Sequence, residues 1–279
     1  MSLVIARPLP PQGLTFLGDT KLTVHGLGRP PGDGCLKIIV PRRDLCIGFA
    51  GAVEPAGAAT ASLPPPEAGH AAVVEHLLKA HLASEGRTDF LVGDGMGGLT
   101  AIRDGVASPT GAAWVGDGDA FRDLQGQIQA MEHSPQYQPP DRYGRAWHAF
   151  DRVVSSAAHD GVGHFTVEAA LWPGRGYRYS WRCQAYQERL PPLAPGESVE
   201  IDWGNAESGS FEISFHDATF VAEADGHRTL ALYFPFARFG FVYLTSGACG
   251  VPTPTLVRGG PVEFTAACRT HFGLQVGPE

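Results

Sequence analysis

The stretch SLVIARPLPPQGLTFLGDTKL, residues 2–22, decides how the fold is read. Two short apolar runs, LVIA at 3–6 and LTFL at 14–17, flank the turn PLPPQG at 8–13. Apolar runs of this length joined by Pro and Gly predict an antiparallel hairpin, whose return strand ends at Gly18 and Asp19. The runs LKIIV at 36–40 and LCIGF at 45–49, joined by PRRD, predict a second hairpin that closes in Gly48-Phe49-Ala50-Gly51.

Beyond these hairpins lies a low-complexity stretch, GAVEPAGAATASLPPPEAG, and then a helical pattern. Val73, Val74, Leu77, Leu78 and Leu82 share one face, with Glu75 and Lys79 opposite. Pro65 and Pro66 precede the pattern and Gly86 follows it, as helix punctuation should. FLVG at 90–93, LTAI at 99–102 and AAWVG at 112–116 predict three further strands. Helices are expected from Gly118 to about Met131 and from Arg142 to Ala158, then a hairpin of FTVEAALW (165–172) and YRYSWRCQAY (177–186). That order is an α+β chain, sheets packed on each other with helices outside. LPPLAPGES at 190–198 marks a boundary between a first domain, 1–187, and a β-rich extension, 188–279. The extension has strand patterns at 199–203, 211–216, 229–234 and 239–244 and a short helix from Pro261 to His271.

Composition excludes several classes. With 36 Gly and 23 Pro among 279 residues, the chain has little room for long helices, and it lacks the strict glycine period of collagen. A net charge of −8 argues against a nucleic-acid partner. No run of 18 apolar residues occurs, so no membrane partner is expected. MSLVIARPLP does not have the pattern of a secretory signal. Five cysteines without CxxC spacing suit reduced thiols in the cytoplasm. Neither a cofactor nor a metal site is expected: His76 and His81 lie on different helix faces, and His159 and His164 have no third ligand. GDGMGG at 93–98 lacks the GK[ST] of a phosphate loop and suits a hairpin turn.

Four features stand in a shared order: Ser2 after the initiator Met, Asp19 at the end of the return strand, Lys37 opening the second hairpin, and Gly51 closing GFAG. This order resembles the proteasome-like members of the N-terminal-nucleophile (Ntn) hydrolases. AAWVGDGDAF (112–121) is similar to that family's strand-to-helix junction, and RVVSSAAHDGVGHFTVEAAL (152–171) to its helix, Asp, small residues and strand. The resemblance covers about residues 2–180 and implies a four-layer αββα sandwich. It further implies amide or peptide bond hydrolysis, with a peptide or small amide as substrate, and it leaves room for a homo-oligomer. By position, Ser2 would be nucleophile and, through its freed α-amine, base; Lys37 its electrostatic partner; Asp19 the orienter of Lys37; Gly51 the oxyanion donor; Asp160 a support of the N-terminus.

The chemistry accounts for those residue types. A serine hydroxyl needs a base to remove its proton, and an α-amine with a pKa of roughly 7.7–8.0 can serve. A nearby Lys⁺ disfavours a second positive charge and keeps that amine neutral. A backbone N–H in a glycine bend can face the developing oxyanion.

Register is the open point. Counted back without a gap from Gly13 and Asp19, the nucleophile position falls on Leu3; Ser2 takes it if the two-proline turn absorbs one extra residue. A one-residue slip turns a side chain to the other face. Gly116-Asp117-Gly118 stands where the family has Gly-Ser-Gly, and Gly163 where it has a supporting Ser. The alternative function is therefore a catalytically inactive proteasome-like protein acting as a binding or assembly module.

Overall fold

A computed structural model describes residues 2–11, 13–21, 34–133, 142–156, 158–163, 166–179, 185–187, 213–215, 221–223, 230–234, 239–244 and 253–274. Strands β1 (Leu3–Pro8) and β2 (Leu14–Asp19) form the first hairpin, in uninterrupted register from Val4↔Gly18 to Pro8↔Leu14. Val4, Ala6, Leu14 and Phe16 point into one apolar cluster, and Leu3, Ile5 and Leu17 into another. A strand buried on both faces needs an apolar run rather than strict alternation, which is why LVIA is continuous.

The second hairpin comprises β3 (Ile38–Arg42) and β4 (Leu45–Gly51). It is extended by β5 (Thr88–Asp94), β6 (Leu99–Arg103) and β7 (Val106–Thr110) into an antiparallel sheet in the order β3-β4-β5-β6-β7. The first hairpin is joined by β8 (Ala113–Gly116), β9 (Thr166–Trp172) and β10 (Gly176–Tyr179) in the order β10-β9-β2-β1-β8, also antiparallel. Side chains from both sheets, Val4, Phe16, Ile38, Cys46, Leu91 and Tyr177 among them, share one buried cluster.

Helices cover the outer faces. Ala56 and Ala59 of α1 (Val53–Ala61) and Val73 and Leu77 of α2 (Gly69–Ala83) pack with Ile39, Ile47, Phe49 and Phe90. Leu124 of α3 (Gly118–His133) and Trp147 and Phe150 of α4 (Arg142–Ser155) pack with Leu3, Ile5 and Leu17. Helix α1 lies within the low-complexity stretch and carries no large apolar stripe. Its small residues Ala56, Gly57, Ala59 and Thr60 are buried instead, and alanine is the best helix former. Strand β7 contains Pro109, which an edge strand tolerates because its outer side needs no ladder donor.

At the opposite edge, the Tyr179 hydroxyl donates to Ile38 O (2.9 Å) and accepts from Val40 N (3.3 Å). One side chain of the first sheet thus satisfies outward backbone groups of the other sheet's edge strand, which would otherwise be open to pairing.

The rest of the chain is β-rich among the described residues. Strand β11 (Ala185–Gln187) pairs with β12 (Ile213–Phe215), so this pairing straddles the expected boundary at 187/188. A further antiparallel sheet contains β13 (Val221–Glu223), β14 (Leu230–Phe234), β15 (Phe239–Leu244) and β16 (Thr253–Arg258). One face, carrying Leu230, Leu232, Phe239, Phe241 and Tyr243, joins the cluster between the two large sheets. On the other face, Ala231, Tyr233 and Val242 pack with Phe264 and Cys268 of α5 (Pro261–Phe272). The strand pattern expected at 199–203 lies outside the described residues. No helix among the described residues is long and apolar enough to cross a membrane.

Candidate active site

The strand ends bring most of the predicted residues together. Asp19 ends β2, Ser2 precedes β1, Gly51 ends β4, Gly116 ends β8, and Lys37 precedes β3. Lys37 Nζ donates to Asp19 Oδ2 at 2.7 Å and to Lys21 O at 2.5 Å. Both charged side chains are buried, 1% and 0% exposed. Removing two charges from water costs several kcal/mol per ion unless the remaining polar atoms are also satisfied. Backbone amides supply that here: Asp19 Oδ1 accepts from Leu3 N (2.9 Å), and Oδ2 from Lys21 N (3.1 Å) and Gly163 N (3.2 Å).

The register places Leu3, not Ser2, beside Asp19. Leu3 N meets the carboxylate directly, and the unbroken pairing from Pro8↔Leu14 to Val4↔Gly18 puts Leu3 across from Asp19. The five-residue connection from Leu9 to Gly13 closes with Leu9 N donating to Gly13 O (3.0 Å) and introduces no shift. The Leu3 side chain is fully buried in the apolar cluster beneath α3 and α4. Ser2 is also buried, at 4% exposure, and its carbonyl accepts from Asp117 N at 2.6 Å. The Ser2–Leu3 peptide unit is therefore held at both ends, its C=O by Asp117 and its N–H by Asp19.

A glycine makes this approach possible. Gly116, at φ +109°, pairs with Leu3, and a Cβ there would press on Ser2 O and lie 3.1 Å from Ala50 Cβ. Gly51, at φ +105°, pairs with Thr88 at the exposed end of β4, where a Cβ would press on Arg87 O. The Asp117 carboxylate caps α3 by accepting from Asp119 N (2.9 Å) and Ala120 N (3.0 Å).

Asp160 stands apart from this group. It is exposed in the turn after α4, and the segment reaches Asp19 through the backbone of Gly163 instead. Gly163 O also accepts from Thr20 N (3.4 Å), and a Cβ on Gly163 would lie 3.0 Å from Lys21 Cδ. The amides of Leu3, Lys21, Gly163 and Asp117 escaped the sequence reading, because a backbone N–H leaves no mark in residue type. The glycines at 116 and 163 were its only trace. In comparisons with known proteins, no family model and no curated protein sequence matches the chain.

Proposed function

We propose that residues 2–180 form a proteasome-like αββα sandwich in which the Asp19–Lys37 pair anchors the N-terminal strand, and that the chain acts as a binding or assembly module rather than as an amide hydrolase. The observation behind this reading is the bond from Leu3 N to Asp19 Oδ1. It sets the backbone of Leu3, a residue with no hydroxyl to attack a carbonyl, opposite Asp19, which supports the ungapped count that gives Leu3 rather than Ser2 the nucleophile's place in the chain. Lys37 is directed to Asp19 and to Lys21 O. A cytoplasmic setting goes with the free thiols of Cys35, Cys46 and Cys268. A homo-oligomer would suit an assembly role.

One observation favours the hydrolase. Ser2 is buried beside Gly116 at the end of β8, where Ala50 of β4 also approaches. Intact mass measurement of the cytoplasmic product shows whether Met1 is removed. Treatment with an epoxyketone peptide probe then separates the readings. The module reading expects no adduct on Ser2; an adduct that disappears in both Ser2→Ala and Lys37→Ala overturns it and installs a serine-type Ntn hydrolase.

A further inference from the structure

On the far side of the β4–β5 pair from β1, His81 is buried on α2 at 2% exposure with both ring nitrogens engaged. Nδ1 lies 2.8 Å from Thr88 O, and Nε2 lies 2.9 Å from Gly105 N. A carbonyl oxygen can only accept and a backbone N–H can only donate. The ring is therefore neutral, with its proton on Nδ1 and its lone pair on Nε2. It joins the C-terminal turn of α2 to the start of β5 and to the turn between β6 and β7. That turn is Asp104-Gly105, with φ of 54° at Asp104 and 79° at Gly105.

An open cavity of about 390 Å³, lined by His81, Leu82, Glu85, Gly86, Asp89, Asp104 and Gly105, gives protons access to the ring. Asp89 on β5 approaches Nδ1 at 3.4 Å, while Glu85 from the end of α2 and Asp104 from the β6–β7 turn line the same cavity. Of the nearby cations, Arg87 Nε donates to Ser84 O, and Arg103 lies over the Trp114 ring with its Nε 3.9 Å from Asp104 Oδ2.

We infer that His81 is a proton-operated latch, which in its neutral form holds the β6–β7 turn against α2 and on protonation releases it. A proton added at Nε2 faces the Gly105 N–H, so that hydrogen bond breaks. The Nδ1 bond to Thr88 O persists, and Asp89 beside Nδ1, with Glu85 on the cavity wall, compensates the new charge, while Asp104 is already paired with Arg103. Release is thus confined to the Asp104-Gly105 turn and the edge strand β7 that follows it. Burial pushes the Asp89 carboxyl above its ordinary value, with His81 in its protonated form and Arg103 opposing the shift and Asp104 adding to it.

The test is NMR on the full chain at about pH 7.5 and about pH 5, which spans the range where histidine changes charge. Nitrogen-15 shifts at pH 7.5 should report the Nδ1–H tautomer. The protection factor of the Gly105 amide should fall about tenfold at the lower pH, the size expected for one buried hydrogen bond. The Phe49 amide, which donates to Lys37 O, should keep its protection. In His81→Phe the Gly105 amide should show low, pH-independent protection. If that variant does not fold, the wild-type titration still decides. An Nε2–H tautomer at pH 7.5, or Gly105 protection that tracks Phe49 across the titration, overturns the latch. So does a loss of pH dependence in Asp89→Asn while the His81 ring still titrates, since Asp89 would then be the sensor.

Discussion

Cutting the buried ion pair from each side tests its structural role. Lys37→Met keeps the length of the side chain but removes its charge. It leaves the Asp19 carboxylate buried with three backbone donors, Leu3, Lys21 and Gly163. Asp19→Asn keeps the volume but leaves the Lys37 ammonium buried without a counter-charge. The amide also puts N–H donors where one of the carboxylate oxygens accepted. Breaking one side of a buried pair costs about 3–5 kcal/mol, a large part of a domain stability of about 5–15 kcal/mol. Each single variant should therefore lose about 3 kcal/mol or more in equilibrium urea unfolding. The double variant should lose less than the sum by about 1–3 kcal/mol, because it strands no charge. Midpoints should move while the slopes stay constant. Losses below about 1 kcal/mol for either single variant, or strict additivity, would refute the argument that this pair anchors the strand.

Three other outcomes follow from local geometry. Gly116→Ala should cost about 2–3 kcal/mol, because alanine resists the positive φ and its Cβ presses on Ser2 O; Gly111→Ala, which meets nothing within 4 Å, should stay within about 0.5 kcal/mol in the same urea assay. Phe241→Ala removes a ring that is 5% exposed in the cluster shared with the two large sheets. It should cost about 3–5 kcal/mol in a single calorimetric transition, whereas a separate low-temperature transition would show that the C-terminal sheet melts independently. Asp89 has its folded pKa raised from 3.8 by burial, so its contribution to stability is fully present below that value and is lost as pH rises through the folded pKa. Asp89→Asn should accordingly raise the melting temperature at pH 7, and the gain should vanish in acid below the carboxylate range.

Much of the frame was legible in residue order. LVIA, LTFL, LKIIV and LCIGF are local apolar runs bounded by turn residues, and each lies in or overlaps a strand of the large sheets. The Val73–Leu77 face marks α2, and GDGMGG marks the β5–β6 turn, where Asp94 Oδ1 accepts from Met96 N and Gly98 N, both at 2.8 Å. Helix α1 was hidden because its buried face is made of alanine, glycine and threonine, which hydrophobic periodicity does not weigh. Strand β7 was hidden because its burial is slight and it carries a proline. In the candidate site, Asp19 and Lys37 could be named from the order of the chain, but Asp160 could not be distinguished from Gly163 as the point of contact. Which of the two reaches Asp19 depends on how the turn after α4 folds back onto β2.

The sequence by itself determined most of the strands and helices, α1 and β7 excepted, and that an acid ends the first hairpin and a lysine opens the second. Apolar period, glycine and proline act within a few residues, so they are present in the order of the chain. Tertiary structure alone decided that Leu3 meets Asp19 while Ser2 lies one residue outside. A strand's register comes from simultaneous packing on both faces. Here Val4 must lie over Gly48, where no side chain intervenes, while Leu3 and Ile5 fill the space beneath α3 and α4. Those partners come from residues 48 to 154, and only the folded chain brings them to one strand.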